Sequence, residues 1–256
     1  RDTSLFPATT RHHDLIRSQG LVVDYRTNLQ HISDSGAFFL ESQFTIPALE
    51  SQTSPLDEVW VALDVETTGL DPDSDEIIEV GAIKFRGENV QDTFLSFVNP
   101  GRHLNTFTKR YTGIIQQDVD EAPSFSSVGN RLSEFIGTTP LVGHNLPFDL
   151  SFLAAKGITI SSPVCDTWDL AYVMLPEQSE YGLAKVAAAL DITHHRPHRA
   201  MADVEVTHRV FLKLMDMASA LDVLTLAEME RLASRSSWIL SYFLRRLEMS
   251  KIASRT

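Results

Sequence analysis

The chain has 256 residues, a net charge of −12 (22 Lys and Arg against 34 Asp and Glu) and 43% hydrophobic residues. That length supports one large domain, or a medium domain with appendages, without disulfide staples; the single cysteine, Cys165, excludes an internal disulfide framework and suits a reducing cytoplasm. The acidic balance excludes broad electrostatic wrapping of DNA but not an enzyme that gathers carboxylates around metal ions, and no apolar run reaches the roughly 18–20 residues of a membrane helix.

The opening RDTSLFPATTRHHDL has no apolar core, so no signal peptide is expected. A start at Arg1, without Met, suits a piece of a longer protein. Residues 1–56 show no sustained hydrophobic period, and 45–57, with Pro47 and Pro55, reads as a linker. This region is expected to be a weakly structured extension that the rest of the chain folds without.

The pattern sharpens at Glu58. Val59, Trp60, Val61, Ala62 and Leu63 are apolar on both parities, as in a central buried strand. Residues 77–85 form a second strand, 86–89 a turn and 90–98 a third strand, paired antiparallel. A helix opens at Pro123-Ser124 with Val128, Leu132, Phe135 and Ile136 on one face. A short strand, Leu141 to Gly143, leads into a helix from about Pro147. Another short strand precedes a helix start at Asp166-Thr167. Leu183, Val186, Ala187 and Leu190 form one helical stripe, and Thr207, Val210, Phe211 and Leu214 another. Three antiparallel strands followed by alternating strands and helices imply an α/β domain with a mixed five-stranded sheet over 57–217. Residues 218–256 read as a helical segment. It is basic from Arg231 onward, with six basic residues against Glu248 alone; such a stretch suits a nucleic acid or a partner, and its plainer reading is an amphipathic helix pair whose apolar side docks on something.

Three groups of residues carry chemistry. Asp64 and Glu66, two apart on a strand, project to the same side at the end of the buried run. Adjacent carboxylates raise each other's pKa unless a cation sits between them, and hard oxygen donors favour Mg²⁺ or Mn²⁺. Asp149 lies near the start of a helix that leaves a buried strand, where an Asp taken alone is a dipole partner. His198 and Asp203, five apart, cannot share a helix face, so His198 belongs to the loop before the helix that carries Asp203.

Asp-x-Glu, then Asp, then His-x4-Asp, in the wording DVETTGLD, VGHNLPFDLSFL and HRAMADVEVTHRVF, resembles the DEDDh family of 3′–5′ exonucleases in the ribonuclease H-like superfamily. It is similar both to the proofreading exonucleases of bacterial replicative polymerases and to the exonuclease domains of DinG-type helicases. Weaker echoes are Tyr111-Thr112-Gly113-Ile114, Glu121-Ala122-Pro123 and Tyr181-Gly182-Leu183. The DEDDy branch has Tyr four residues before the last Asp; Arg199 stands there, which indicates the histidine branch. Val204, where many relatives have Ala, is a conservative departure.

The resemblance implies that Asp64, Glu66, Asp149 and Asp203 hold two divalent metal ions and that His198 is the general base. It assigns the terminal nucleotide to Thr67, Thr68, Gly69, Leu70, His144, Asn145 and Phe148. It implies release of nucleoside 5′-monophosphates from single-stranded or frayed 3′ ends of DNA in the cytoplasm. A polymerase subunit or a covalently linked helicase is the implied partner, and residues 231–256 resemble the connection after the nuclease of DinG-type proteins. Two other readings use the same residues: an RNA 3′-end trimming enzyme, and an inactive nuclease fold that serves as a binding module.

Other groups have plainer readings. His12-His13-Asp14 lacks distal partners for a metal phosphohydrolase, and His194 and His195 read as a solvated loop. Asp166 and Asp169 read as helix caps and Cys165 as a buried thiol.

Overall fold

The computed structural model describes residues 55–233 and 240–253. Residues 1–54, with His12, His13 and Asp14, lie outside the described residues, as do Arg235, the Ser236-Ser237-Trp238 stretch and Arg255. The end of the expected linker, Pro55–Asp57, is a 3-10 turn, and the Pro55 carbonyl accepts the Trp60 indole N–H at 2.8 Å.

The central strand β1, Trp60–Thr67, is covered on both faces, which is why it reads as a continuous apolar run. It pairs antiparallel with β2, Ile77–Arg86, which pairs antiparallel with β3, Asn89–Phe97. Gly87 closes that hairpin at a φ of 54°, the left-handed region that a tight turn needs. On the other side of β1 lie β4, Leu141–Gly143, and β5, Val164–Asp166, both parallel. The order β3-β2-β1-β4-β5 is the mixed five-stranded sheet expected from the sequence.

Two short helices follow β3: α1, Thr106–Thr112, and α2, Gln116–Asp120. Neither was legible in the sequence, because α1 buries Thr108 and Thr112 and offers no apolar period. Then come α3, Phe125–Ile136; α4, Leu146–Ala155; α5, Thr167–Met174; and α6, Leu183–Ala189. The long α7, Ala200–Ala220, is followed by α8, Val223–Ala233, and α9, Leu240–Ala253. On one face of the sheet Val61, Leu63, Val65, Val80 and Ala82 pack against α3 and α4. On the other, Trp60, Ala62, Ile83 and Phe85 pack against Val206, Val210, Phe211 and Leu214 of α7. Among the described residues no helix is long and apolar enough to cross a membrane.

The division expected at 217 falls inside α7, and the helices beyond it belong to the same core. Phe243, Leu244 and Leu247 are buried with Trp60, whose ring lies 5.0 Å from that of Phe243 and 4.8 Å from that of Phe211. Arg246, in the stretch read as basic, is 6% exposed and paired with Glu58. The apolar side of the C-terminal helices therefore docks on β1 and α7. Each of Phe243, Leu244 and Leu247 contributes about 1.5–3 kcal/mol by burial. A chain ending at 217 is expected to lose most of its stability and to aggregate, while one spanning 55–256 melts like the full chain. Equal melting temperatures for the chains ending at 217 and 256 would refute this.

Candidate active site

Strand parity puts Asp64 and Glu66 on the α7 face of β1. Their partners across the β1–β2 ladder are Gly81 and Glu79. A Cβ at Gly81 would lie 2.6 Å from the backbone carbon of Ala200, so the missing side chain lets the start of α7 approach the sheet there. That approach brings Asp203, in the first turn of α7, to the two β1 carboxylates. Asp149 comes from the first turn of α4 and is tied to the same strand: its Oδ1 accepts the Val65 N–H at 2.8 Å. His198 lies outside α7, as the five-residue spacing requires, at a φ of 65°. Its N–H donates to Asp203 Oδ2 at 2.9 Å, which supports this left-handed backbone in a non-glycine residue.

Asp64, Glu66, Asp149 and Asp203 thus converge, and one ligand atom each from Glu66, His198 and Asp203 lie within 4.8 Å of one another. The Asp64 Oδ2 atom is buried without a hydrogen-bond partner. Burial and then the neighbouring Asp149 and Glu66 charges push the Asp64 carboxyl well above its usual range. Burial likewise raises Glu66 to about 9, Asp149 to about 8 and Asp203 to about 6. Buried oxygen donors with a partnerless carboxylate oxygen among them fit a divalent cation, which supplies the missing positive charge. A shallow depression of about 700 Å³ between Leu95 and Pro123 contains none of these residues.

The raised values have a consequence for stability. The folded protein holds protons that the unfolded chain releases near pH 4, so this contribution is complete below about pH 4. It is lost as pH rises through about 6, 8 and 9. With chelator, the melting temperature is expected to fall as pH rises from 5 to 9. Added Mg²⁺ or Mn²⁺ is expected to restore it, with a larger gain at pH 9 than at pH 5. A gain independent of pH would show that the carboxylates do not share a cation.

Part of the expected nucleotide-binding set is hydrogen-bonded within the protein. The buried Thr68 hydroxyl donates to Asp75 Oδ1 and accepts the Glu76 N–H, each at 3.0 Å, so it is engaged within the turn. A side chain at Gly69 would collide with the Asp75 carboxylate, so this glycine is needed for the turn itself. Both ring nitrogens of His144 are engaged within the protein: Nδ1 faces the Thr167 hydroxyl and Nε2 the Tyr181 carbonyl, both at 2.8 Å. Burial lowers the His144 pKa to about 4. The Thr67 hydroxyl donates to the Gly69 carbonyl. Asn145 is exposed at the start of α4, and Phe148, half-buried, packs on Phe152 at 4.9 Å. Leu70 is 54% exposed beside the carboxylates' strand. Asp166 caps α5 through the Trp168 N–H and also accepts the Asn145 and Leu146 N–H groups, while Cys165 is buried.

Three groups were missed in the sequence. His194, read as solvated, is half-buried, its side chain 8% exposed and its Nε2 against Asp203 Oδ1; His195 is the exposed one. Glu79 is buried and accepts from Arg199 Nη2 at 2.8 Å and from the Ala200 N–H at 3.0 Å, anchoring the loop that carries His198. A Glu inside the apolar run of 77–83 was the available signal. Tyr111 stacks on His198, with ring centroids 3.8 Å apart. Burial first, then the Glu66, Asp203 and Asp64 charges, raise the Tyr111 phenol to about 12. Burial and the neighbouring His194 lower the His198 pKa, which keeps its imidazole neutral at neutral pH.

The chain is similar to known nucleases and polymerases. The PolC-type DNA polymerase III of Thermotoga maritima is 36% identical over 181 residues, which are 69% of this chain and 13% of that protein. The 3′–5′ exonuclease DinG of Bacillus subtilis is 31% identical over 180 residues, 68% of this chain and 19% of that protein. This chain therefore spans less than a fifth of either relative. Among solved structures, the nuclease domain of 3′hExo, a DEDDh family member bound to rAMP, has a TM-score of 0.57 and 21% identity. It covers 64% of this chain and 94% of that one. Exonuclease X in complex with 5′ overhanging duplex DNA has a TM-score of 0.54 and 20% identity, over 63% and 94% of the two chains. These two likenesses concern the fold. The family model described as Exonuclease (RNase_T) matches residues 61–211. That span is more than half of the chain and runs from β1 into α7 with all four carboxylates and His198, so the chain belongs to this exonuclease family.

Proposed function

We propose that this chain is a metal-dependent 3′–5′ exonuclease that hydrolyses the terminal phosphodiester of DNA and releases nucleoside 5′-monophosphates. The observation that carries the reading is the convergence of Asp64, Glu66, Asp149 and Asp203 with a neutral His198 beside them. The four carboxylates would hold two Mg²⁺ or Mn²⁺ ions, which when bound neutralise charge on the phosphate and make a bound water acidic. His198 accepts the remaining proton of the attacking water on a ring nitrogen. Glu79 and Arg199 keep the His198 loop in place, and Tyr111 holds the imidazole plane. The terminal nucleotide enters at the Gly69–Leu70 turn, where Leu70 packs on its base with Phe148. Thr67 and Asn145 are the polar groups within reach of its sugar. Hydrolysis leaves a shortened strand with a new 3′ hydroxyl.

The relatives' lengths support a further part of this reading. The chain would act as the nuclease module of a cytoplasmic polymerase or helicase assembly, on single-stranded or frayed 3′ ends. The test uses single-stranded DNA labelled at one end, with Mg²⁺ or Mn²⁺. A 3′ label is expected to leave first, as mononucleotide, and a 3′ phosphate to block the reaction. Shortening from the 5′ end, or equal cleavage of circular and linear strands, would overturn the proposal. Faster loss of an RNA strand than of a DNA strand would replace DNA by RNA as the substrate.

A further inference from the structure

The helix α1 is inverted with respect to an ordinary surface helix. It buries its threonines, Thr108 and Thr112, and exposes its aromatics, Phe107 at 54% and Tyr111 at 43%. Hydrophobic burial does not account for that choice, since exposed aromatic pairs contribute little to a core. The two rings, one helical turn apart, are stacked, with centroids 5.6 Å apart and an interplanar angle of 12°. Tyr111 in turn stacks on His198, so a ladder of three rings runs from the catalytic imidazole out to solvent. The ladder is held to the site by Thr108, whose hydroxyl donates to the Thr68 carbonyl at 2.9 Å, next to the Gly69–Leu70 turn. Asn105 caps the helix through the Thr108 N–H at 2.8 Å, and Gly113 ends it at a φ of 72°.

Charge points the same way. In a chain of net charge −12, α1 carries Lys109 and Arg110 and no acidic residue. Exposed aromatics interleaved with cations are what single-stranded nucleic acid needs: rings for bases and charges for the phosphates between them.

We propose that Phe107, backed by Tyr111, forms a stacking platform for a base of the nucleotides preceding the 3′ end, with Lys109 and Arg110 on the neighbouring phosphates. The proposal rests on the exonuclease reading above and adds the path of the strand away from the site. A base on the outer face of Phe107 is separated from His198 by the Tyr111 ring, so a strand of several nucleotides reaches the platform and a dinucleotide does not extend to its outer face. The stacking common in single-strand binding corresponds to roughly 5- to 150-fold in affinity per base.

The experiment measures kcat/KM for the wild type and Phe107→Ala on a ten-nucleotide DNA strand and on a dinucleotide. The advantage of the long strand over the short one is expected to fall by roughly 5- to 150-fold in Phe107→Ala, through KM. Phe107→Trp is expected to restore it, because the indole stacks as well as the phenyl ring. Lys109→Ala is expected to reduce the salt dependence of KM for the long strand by about one phosphate contact. An unchanged long-to-short ratio in Phe107→Ala, with the wild type shortening both strands, overturns the platform and leaves the exonuclease reading standing. Equal loss on both strands does so too, since it makes α1 a support for His198 only. A wild type that shortens neither strand overturns the exonuclease reading itself.

Discussion

Asp64→Asn, Glu66→Gln, Asp149→Asn and Asp203→Asn are each expected to lower metal-dependent turnover by on the order of 10³-fold. That is the upper range for removing one preorganised charge-stabilising group. The physical reason is that the four carboxylates are one set. Asp64 and Glu66 share a face of β1, Asp149 is bonded to the Val65 N–H between them, and Asp203 is brought over the strand by α7. Taking one charge from the set weakens the hold on both ions. The amide replacements keep side-chain volume, so the fold should survive. Metal-free Asp64→Asn is expected to melt above the metal-free wild type at pH 8, because it removes a carboxyl that prefers to ionise on unfolding and whose Oδ2 has no partner in the fold. A variant that keeps near-wild-type turnover would remove its residue from the set.

His198→Ala is expected to lower kcat by about 10²- to 10⁴-fold, the usual range for a general base, with less change in KM. The direction of its pH effect follows from the lowered pKa of the imidazole. The neutral ring is the active form, so at saturating metal the wild-type rate should rise with pH through the imidazole's titration, which burial moves below the ordinary histidine range, and then level off. The variant should lose that limb. One ring nitrogen of His198 also lies close enough to Glu66 and Asp203 to share a cation, which makes metal binding the second measurement. His198→Ala is expected to keep the metal-dependent gain in melting temperature. Loss of that gain would make His198 a ligand and not the base.

Much of this site was legible without coordinates, because its spacing is governed by local geometry. The period of two along a strand fixes Asp64 and Glu66 to one side, whatever surrounds them. Five residues between His198 and Asp203 place one in a loop and the other on the helix, as observed. The apolar runs of β1 and β2 and the stripes of α3 and α7 are likewise local consequences of which faces are covered.

Tertiary structure alone decided how those elements meet and which polar groups are already taken. Thr68 and His144 sit in the expected motifs, yet their hydrogen bonds go to Asp75, Glu76, Thr167 and Tyr181. Arg199, read in the sequence only as the absence of a tyrosine, anchors the base's loop to Glu79, 120 residues away. Tyr111 meets His198 only because α1 hangs on the Thr68 carbonyl. The C-terminal helices are part of the core because Trp60 needs Phe243 as well as Phe211 to cover its ring. Periodicity records which face of an element is buried; it carries no record of the distant residue that buries it, and that pairing is decided when the whole chain packs.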